Sequence, residues 1–471
     1  MAKVPLRMIG LTRLGTYFPR RRLDRALIGK AWGKRAAGTR TVAGSDEDAL
    51  TLAVEAGAVC LGDVDATTLD GVYFASTSAP YHEKQIASVV ATALDCRRDV
   101  AVADFGGSVR AGLAALRAAC DAVAAGSLGT ALVTTADSRM AEPESELEVA
   151  LGDGAAAVVV GSKGVIAELV ASASVAEEFT HLYRTDEQRY VQVADARFGA
   201  QYGYAVVVPE AVKAALAKAK LGAKDVTALA LGAPDVRAAE DAAKKSGVDP
   251  KATLVPLLVN EAGIFGTPDP LVQLSRALET AKAGDVIVVA AYGEGADALV
   301  FRATDALATA RPRSIADGLA RGMPLPSYEK YLKSRNVLPV DYQGEPYPTY
   351  LEWKELKQDV RLYGSRCRAC GLVQYPMAHV CLGCKAREQL DDHKLGRRGV
   401  VFTYTIDNLA PVAEHPMAML VIDLEGGGRI YLQGADTAEG EIDIGTPVVL
   451  TFRRLHESHG NRNYYWKARP A

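Results

Sequence analysis

The 471-residue sequence lacks the features of a membrane protein, a nucleic-acid-binding protein or a disulfide-bonded secreted protein. No apolar run reaches the roughly 18 residues that a membrane-spanning helix needs. The formal net charge is only -3, so a polyanionic partner such as nucleic acid is not expected. The basic first residues contain neither a continuous apolar core nor a cleavage site, so we expect no signal peptide. Cysteine is scarce, and the clustering of four of the seven residues favours a reducing cytoplasm and one metal site.

Residues 1 to about 305 are rich in Ala, Gly and Val. Apolar runs such as TALVTTA (residues 130–136) alternate there with helix-like segments such as RAGLAALRAACDAVAAG. Continuous apolar runs between Ala-rich helices predict an α/β domain with a mostly parallel sheet that is covered on both faces.

This region also contains an internal repeat. The segment GTALVTTA from Gly129 is matched by GDVIVVAA from Gly284, and GDGAAAVVVG from Gly152 is matched by GEGADALVF from Gly293. Two similar units of about 150 residues predict a pseudo-twofold domain with a pocket where the halves meet. Chance similarity between Ala/Gly-rich segments is the alternative.

The composition changes after about residue 305. Scattered Pro and aromatic residues without a strand rhythm predict a linker that carries one amphipathic helix. Beyond about Asp359, turn residues separate five short apolar runs: VVFTYTIDNL, AMLVIDLE, RIYLQGAD, TPVVLTFRRL and NYYWKARP. Five strands of this kind predict a small barrel such as an OB-fold.

Two CxxC motifs, Cys367–Cys370 and Cys381–Cys384, are separated by ten residues. Zinc prefers four soft ligands in a tetrahedron, and two such turns can each supply two thiolates. Gly371 and Gly383 permit the tight turns that this requires. Four thiolates leave no open coordination position, so we predict a structural zinc site, with His379 as a surface residue. Unligated cysteines or a redox pair are the alternatives.

The segment Val72–Gly161, with VYFASTSAPYHEKQIASVVATALD and DFGGSVRAGLAALRAACDAV, resembles the archaeal-type hydroxymethylglutaryl-CoA synthases, which are thiolase-superfamily enzymes. The similarity continues through RYVQVADARFGAQYGYAVVVPEAVKAAL and GDVIVVAAYGEGADALVF, and it covers about 300 residues. The C-terminal part resembles the zinc-ribbon and OB-fold module that accompanies thiolases and such synthases, either fused or as a separate subunit. The resemblance implies a coenzyme A thioester as substrate or ligand.

The resemblance also implies a duplicated thiolase-like fold, layered α-β-α-β-α, with a C-terminal rubredoxin-like zinc ribbon and an OB-fold β-barrel. We expect five parts in chain order: a thiolase-like N-terminal half (1–165), a thiolase-like C-terminal half (166–305), a linker with an amphipathic helix (306–358), the zinc ribbon (359–395) and the OB-fold (396–471).

The catalytic groups of such synthases are missing here. Such synthases use a cysteine nucleophile, a glutamate, a histidine and an asparagine. The motif positions that correspond to these residues in this sequence hold Val109, Thr77, Leu231–Pro234 and Ile264. Val109 cannot attack a thioester, and its neighbour Ser108 is a poor nucleophile unless a base lies nearby. Asn260 lies four residues before Ile264 and could substitute only in a rebuilt loop. We therefore predict that acyl-cysteine chemistry is absent.

Other polar residues near the expected pocket are candidates for acid/base or oxyanion roles: Tyr81, His82, Asp104, Ser108, Arg110, Asp235 and Glu261. Each has a structural alternative. Asp104 is suited to cap the helix near Ser108, Tyr81 and His82 to line a loop, and Arg110 to face solvent or a dimer partner. The remaining cysteines, Cys60, Cys96 and Cys120, are expected to be buried structural thiols.

Three functions remain open. The first is carbon–carbon bond formation or cleavage on CoA thioesters without an acyl-cysteine, as in aldolase-like relatives of the thiolase fold. The second is a catalytically silent subunit that its zinc-ribbon and OB-fold module bridges to an active thiolase. The third is hydroxymethylglutaryl-CoA synthesis itself, which the missing nucleophile disfavours; a scaffold without ligand is a further alternative. We expect a homodimer or a hetero-oligomer with a thiolase.

Overall fold

The computed structural model describes residues 8–338, 348–410, 416–438, 440–458 and 460–471. These residues divide into two units. The first comprises the residues up to Ala43 together with Asp48–Tyr328, and the second comprises Gly44–Glu47 together with the residues from Glu329 onward. Among the described residues, no helix combines the length and the apolarity that crossing a membrane would need.

The first half of the first unit alternates strands and helices. Its strands are β1 (Gly10–Tyr17), β2 (Arg21–Asp24), β3 (Thr39–Val42), β4 (Gly71–Ala75), β5 (Ala101–Phe105), β6 (Ala131–Asp137) and β7 (Gly154–Gly161). Its helices are α1 (Arg25–Trp32), α2 (Ala49–Leu61), α3 (Ile86–Ala93), α4 (Ala111–Ala125) and α5 (Glu146–Ala150). Asp48 caps the N-terminus of α2, where its carboxylate accepts hydrogen bonds from the Leu50 and Thr51 backbone N–H groups.

The second half follows the same plan. Its strands are β8 (Ala167–Ala176), β9 (Leu182–Tyr183), β10 (Gln192–Val193), β11 (Ala228–Leu231), β12 (Val286–Tyr292) and β13 (Gly295–Ala303). Its helices are α6 (Ala196–Phe198), α7 (Ala205–Ala219), α8 (Val236–Ser246), α9 (Pro250–Thr253) and α10 (Asp269–Thr280). A π-helical stretch, Gly199–Tyr204, joins α6 to α7.

Nine strands form one sheet in the order β11-β12-β13-β8-β1-β7-β6-β4-β5. From the central β8–β1 pair outward, the succession β1, β7, β6, β4 in one half corresponds to β8, β13, β12, β11 in the other. The isolated parallel bridge of Leu254 to Leu229 occupies the place that β5 has in the first half. The segments that begin at Gly129 and Gly284 contribute the equivalent strands β6 and β12, so the predicted duplication is confirmed.

The prediction of a mostly parallel sheet is wrong. Parallel pairs join β4 to β5 and to β6, and β11 to β12. The pairs β6–β7, β1–β7, β1–β8, β8–β13 and β12–β13 are antiparallel. The continuous apolar runs indicate only that the strands are buried on both faces of the sheet. In this fold helices cover both faces of antiparallel strands as well, so the same pattern arises without parallel pairing.

Helices α4 and α10 form the middle layer of the first unit. They contact each other, and each contacts strands of both halves of the sheet. On the outer faces, α2 packs on β1, β6 and β7, while α7 packs on β8 and β13. The small side chains of Ala115 and Ala119 on α4 are fully buried, which allows strands to approach this helix closely. This arrangement confirms the expected α-β-α-β-α layering.

The segment after β13 contains short helices and one short strand: α11 (Ile315–Ala320), β14 (Met323–Pro324), α12 (Tyr328–Ser334) and α13 (Thr349–Asp359). It is therefore more structured than the predicted linker with one helix. Strand β14 pairs with β2, which also pairs with β3. Residues 339–347, which include most of the Pro- and Tyr-containing stretch QGEPYPTY, lie outside the described residues.

The rest of the second unit contains two small sheets. The first consists of β15 (Tyr363–Cys367), β16 (Val373–Gln374) and β17 (Leu390–Lys394). The second consists of β18 (Arg398–Asp407), β19 (Met417–Leu424), β20 (Arg429–Gln433), β21 (Pro447–Ser458) and β22 (Asn461–Pro470). Its order is β20-β19-β18-β21-β22, and a bridge between Gly434 and Ala468 nearly closes it into a barrel. The predicted five-stranded barrel is confirmed.

The barrel core combines aromatic packing with a buried ion-pair network. Trp466 is buried, contacts Phe452 edge-on at 5.2 Å between ring centroids, and donates its indole N–H to the Val360 carbonyl at 3.0 Å. Arg453 is fully buried and pairs with Asp436 at 2.6 Å and Glu47 at 2.9 Å. Removal of one partner from such a buried pair costs about 3–5 kcal/mol, so the network holds Gly44–Glu47 firmly within the second unit.

Candidate active site and metal centre

The four positions at which the resemblance expects catalytic groups lie close together in the first unit. Val109, Gly232 and Ile264 line one cavity of about 420 Å³. Thr77 lines an adjoining cavity of about 140 Å³, to which Val109 also contributes. The four positions therefore converge on one site, although none of their side chains carries the functional group that the resemblance leads us to expect there.

Val109 lies in the turn between β5 and α4. Its aliphatic side chain cannot attack a thioester. Ser108 lines the smaller cavity, and its buried hydroxyl has no hydrogen-bond partner within the described part of the chain. Because a serine nucleophile is activated by a hydrogen-bonded base, this arrangement does not support Ser108 as a substitute for the missing cysteine.

Thr77, in the glutamate frame, is bound to the buried carboxylate of Asp137. Its hydroxyl and its backbone N–H donate to Asp137 at 3.0 and 2.8 Å. The same carboxylate accepts hydrogen bonds from the hydroxyls of Ser76, Ser78 and Thr267 at 2.9, 2.8 and 2.6 Å. Thr77 therefore belongs to a network that fixes the ends of β4 and β6 beside the cavity.

The position expected for the asparagine likewise holds no such side chain. Ile264 presents an apolar group to the larger cavity, while Asn260 is exposed and lines neither cavity. The Asn260 carbonyl accepts a hydrogen bond from the Thr39 backbone N–H at 2.8 Å, which fixes its loop. Asn260 does not take the place of the missing side chain.

Three aromatic residues that the sequence analysis did not single out line the larger cavity: His181, Tyr204 and Tyr292. The Nδ1 atom of His181 and the hydroxyls of both tyrosines are buried and have no hydrogen-bond partner among the residues that the structure describes. The centroid of the Tyr292 ring lies 5.9 Å from the ring centroid of His181 and 5.6 Å from that of Tyr204. Buried polar atoms without partners are costly, so this cluster is suited to a ligand that supplies them.

Burial determines the protonation of this cluster near neutral pH. It lowers the pKa of His181, against an opposing effect of Asp195, and so favours the neutral imidazole. It raises the pKa of Tyr292 to about 12 and also raises that of Tyr204, so both phenols stay protonated. The cluster therefore offers a neutral base beside two hydroxyl donors.

Two glycines of the π-helical stretch permit the close approach of these rings. A Cβ atom at Gly199 would lie 2.3 Å from Cδ2 of His181, and one at Gly203 would lie 2.2 Å from the Tyr292 hydroxyl. Neither glycine has a positive φ, so the requirement here is for space rather than for an unusual backbone conformation. π-Helical turns are frequent at functional sites, which fits this position over the cavity.

Asp269, at the start of α10, also lines the larger cavity and is buried. Burial raises the pKa of Asp269 to about 7. Two effects oppose this shift: the carboxylate accepts a hydrogen bond from the Gly266 N–H at 3.0 Å, and the positive charge of Arg139 lies nearby. Asp235 lines the mouth of the cavity and caps α8 by accepting the Ala238 N–H at 2.7 Å. Of the polar residues considered from the sequence, Asp235 lines the larger cavity and Ser108 the smaller one.

The other candidates lie elsewhere. Asp104 caps a helix, but it is α3: its carboxylate accepts the Ile86 and Ala87 N–H groups at 2.6 and 2.8 Å. The expectation that it caps the helix near Ser108 is therefore wrong, because Asp104, near the end of β5, lies beside the start of α3. Tyr81 and His82 line neither cavity, and exposed His82 lies 3.4 Å from Asp186.

Arg110 and Glu261 are likewise outside both cavities. Arg110 precedes α4 and donates to the Val175 carbonyl at 3.0 Å. Glu261 is exposed, and its backbone carbonyl accepts the Thr39 hydroxyl at 2.6 Å. Cys60, Cys96 and Cys120 are buried as expected, and burial raises the pKa of the Cys60 and Cys120 thiols to about 12. None of these three thiols lines either cavity.

The four clustered cysteines of the second unit converge. Cys367 ends β15, and the Sγ atoms of Cys367, Cys370, Cys381 and Cys384 lie within 4.8 Å of one another. The Cys367–Cys384 and Cys370–Cys381 sulfur pairs are 3.6 and 3.5 Å apart. A zinc tetrahedron with Zn–S bonds of about 2.3 Å has S–S edges of about 3.8 Å, so these thiolates fit a zinc ion. Gly371 has φ of +76°, which the first turn requires.

Two family models match the C-terminal part of the chain. The ChsH2 rubredoxin-like zinc ribbon domain matches residues 355–391, and the ChsH2 C-terminal OB-fold domain matches residues 392–453. These matches agree with the thiolate cluster and with the five-stranded barrel.

The remainder of the chain is similar to hydroxymethylglutaryl-CoA synthases of archaea. The enzyme of Thermococcus onnurineus is 30% identical over 303 residues, which are 63% of this chain and 86% of that protein. The enzyme of Methanopyrus kandleri is 26% identical over 370 residues, or 76% of this chain and 99% of that protein. This chain therefore belongs to the hydroxymethylglutaryl-CoA synthase family, and it carries a zinc ribbon and an OB-fold in addition.

Solved structures show the same fold. A hydroxymethylglutaryl-CoA synthase complexed with CoA has a TM-score of 0.63 at 20% identity, covering 72% of this chain and 95% of that one. The 3-oxoacyl-[acyl-carrier-protein] synthase III of Aquifex aeolicus has a TM-score of 0.57 at 21% identity, covering 62% and 99%. The thiolase-like architecture expected from the sequence is confirmed.

Replacement of Cys384 by Ala should remove the bound zinc and destabilise the second unit, because the binding energy of a structural zinc ion contributes directly to folding. The measurement is zinc content per chain together with thermal unfolding. Cys96→Ala, at a buried cysteine of the first unit, is the control that should retain zinc. A Cys384→Ala protein with unchanged zinc content and melting temperature would show that the four thiolates do not hold the metal.

Proposed function

We propose that the chain binds coenzyme A thioesters and catalyses carbon–carbon bond formation or cleavage on them without an acyl-enzyme intermediate. The observation that carries this proposal is the lining of one cavity, where Val109 in the nucleophile position lies beside His181, Tyr204 and Tyr292. One buried polar atom of each aromatic residue has no hydrogen-bond partner among the residues described by the structure. Aldol and retro-aldol reactions need an acid/base group and a stabiliser for the developing oxyanion, and they need no nucleophile.

The cluster suggests a division of roles in the cleavage direction. Neutral His181 would take the proton from the hydroxyl on the β-carbon of the acyl group. The Cα–Cβ bond then breaks, its electrons form the enolate of the thioester, and the β-carbon leaves as a carbonyl compound. The protonated hydroxyls of Tyr292 and Tyr204 would donate hydrogen bonds to the enolate oxygen. The imidazolium of His181 would then return its proton to the α-carbon of the enolate, which gives the shortened thioester and restores the neutral imidazole. The reverse sequence forms the same bond.

The names of the relatives favour a second candidate, which is hydroxymethylglutaryl-CoA synthesis. It accounts for the sequence similarity better than any other activity. Against it stands the loss of the four expected side chains at one site, because an acyl group cannot be carried on Val109. The two candidates differ in whether the protein becomes covalently acylated.

A silent subunit beside an active thiolase is the remaining alternative. Strand β5 forms one end of the nine-stranded sheet, and two of its five residues are exposed. An exposed strand edge is a template for pairing with another chain, which favours association with a second copy or with a thiolase. In this case turnover would require the added partner.

We further propose that the four cysteines of the ribbon hold a structural zinc ion. The four thiolates would complete its coordination and leave no position for substrate. The finer domain boundaries, the cytoplasmic location and the identity of a protein partner stay predictions from the sequence.

Incubation of the purified chain with acetyl-CoA and with β-hydroxyacyl-CoA thioesters, both radiolabelled in the acyl group, tests the proposal. We expect cleavage of a β-hydroxyacyl thioester without label on the protein. Val109→Cys should gain acyl label, because the substituted thiol lies at the start of α4, where the helix dipole favours the thiolate. Stable label on the unsubstituted chain would restore covalent catalysis, and turnover only after addition of a thiolase would favour the silent-subunit alternative.

Tyr292→Phe should lower kcat for this cleavage by about 10²–10³-fold, the usual effect of losing one oxyanion donor. The variant keeps the ring and its packing and loses only the hydroxyl. Tyr202→Phe is the matched control, because Tyr202 lies on the π-helical stretch but is exposed and lines neither cavity. Steady-state kinetics distinguishes the two, and an unchanged kcat in Tyr292→Phe would exclude the proposed role.

A further inference from the structure

We infer that the acyl group accepted by this cavity is bulky, uncharged and mainly apolar. The inference rests on the proposed function, because it concerns the acyl part of the thioester that the proposed reaction uses. It specifies a substrate class that differs from the carboxylate-bearing hydroxymethylglutaryl group in the names of the relatives.

The size of the cavity is the first argument. Its volume is about 420 Å³, within the range of roughly 300–1,000 Å³ that is typical of pockets for drug-sized ligands. If each carbon takes up about the 30 Å³ that a water molecule occupies in the liquid, a ten-carbon acyl chain fills roughly 300 Å³. An acetyl group would leave most of the space to water.

The lining of the cavity is the second argument. Leu147, Ala150 and Leu151 form one side of it, and Ile264 and Pro270 contribute further apolar surface. Burial of apolar surface stabilises a complex by about 25 cal/mol per Å². A ligand whose hydrocarbon part covers this wall is therefore expected to bind more tightly.

The charge of the cavity is the third argument. Among the residues that line it, Arg139 is the one Lys or Arg side chain, whereas Glu146, Asp235 and Asp269 are acidic. Arg139 already lies near the carboxylate of Asp137. A Cβ atom placed on Gly266 would lie 2.7 Å from Nε of Arg139 and 2.9 Å from Oδ2 of Asp137, so both groups border the same point. An acyl group with a free carboxylate would meet net negative charge here and find no uncompensated cation, which disfavours its binding.

The polar cluster determines which part of the ligand can be polar. His181, Tyr204 and Tyr292 line the cavity, and one buried polar atom of each has no hydrogen-bond partner in the part of the chain that the structure describes. Oxygen atoms close to the thioester, such as its carbonyl and a β-hydroxyl, would satisfy them, while the remainder of the acyl group covers the apolar wall. A long or bulky β-hydroxyacyl group meets both conditions.

Isothermal titration calorimetry with the full chain separates size from charge. The size comparison uses acetyl-CoA and decanoyl-CoA, and the charge comparison uses glutaryl-CoA and hexanoyl-CoA, with free CoA as the reference. We expect decanoyl-CoA to bind at least about tenfold more tightly than acetyl-CoA, and hexanoyl-CoA at least about tenfold more tightly than glutaryl-CoA.

Ala150→Phe tests whether the preference for size arises in this cavity. The larger side chain fills part of the space, so the advantage of decanoyl-CoA over acetyl-CoA should fall at least about fivefold. Val149→Phe, on the same helix but outside the cavity lining, is the control that should keep the advantage. Ala200→Phe at the exposed mouth, with Gln201→Phe as its control, gives a second test that does not disturb buried packing.

The outcomes distinguish this inference from the proposed function. If neither CoA nor any thioester binds, the proposed function fails and the inference fails with it. If all thioesters bind with similar affinity, or if glutaryl-CoA binds as tightly as hexanoyl-CoA, thioester binding stands and only the inference is overturned. The inference is likewise overturned if the size preference persists in both cavity-filling variants.

Discussion

The chemistry open to this protein depends on one side chain at the start of an inner helix. Two half-sheets enclose α4 and α10, and the duplicated fold brings the turn before α4 to the cavity where the second half contributes Gly232 and Ile264. Because Val109 occupies that turn, the fold places an aliphatic group where the resemblance leads us to expect a thiolate. Any reaction in this cavity must proceed through groups other than an acyl-cysteine.

The groups that remain form a coherent alternative. His181, Tyr204 and Tyr292 contribute a neutral imidazole and two protonated phenols to one apolar cavity, and burial sets the protonation of all three. Such a set can move a proton and stabilise an enolate, which is what reversible carbon–carbon chemistry on a thioester requires. The zinc ribbon, by contrast, is suited to a structural role, since its four thiolates would complete the coordination of a zinc ion.

The sequence predicts much of this fold because its signals are local and repeated. The segments from Gly129 and Gly284 fall on equivalent strands, and two CxxC turns suffice to bring four sulfurs together. Strand direction was not predictable, because antiparallel strands that are buried on both faces carry the same continuous apolar pattern as parallel ones. Asp104 was assigned to the wrong helix because its partners, the N–H groups of Ile86 and Ala87, lie in a helix that precedes it in the chain.

The cluster of His181, Tyr204 and Tyr292 was the least predictable feature. His181 lies in an irregular segment without helical or strand periodicity, and Tyr292 ends a buried strand where an aromatic residue normally indicates packing. Their convergence depends on the tertiary fold and on the small residues Gly199 and Gly203, which leave room for the rings. The sequence alone does not reveal this role of the two glycines, because it depends on the position of the π-helical stretch next to the rings. The nucleophile frame, in contrast, could be located from the motif around Val109, because α4 follows it directly.

A crystal structure with an unreactive thioether analogue of a β-hydroxyacyl-CoA tests the central claim most directly. We expect the analogue's sulfur in van der Waals contact with Val109, and its β-hydroxyl or carbonyl oxygen within about 3.2 Å of the Tyr292 hydroxyl or of a His181 ring nitrogen. A reactive acyl group placed outside this cavity, or a cysteine Sγ within bonding distance of the thioester position, would contradict it.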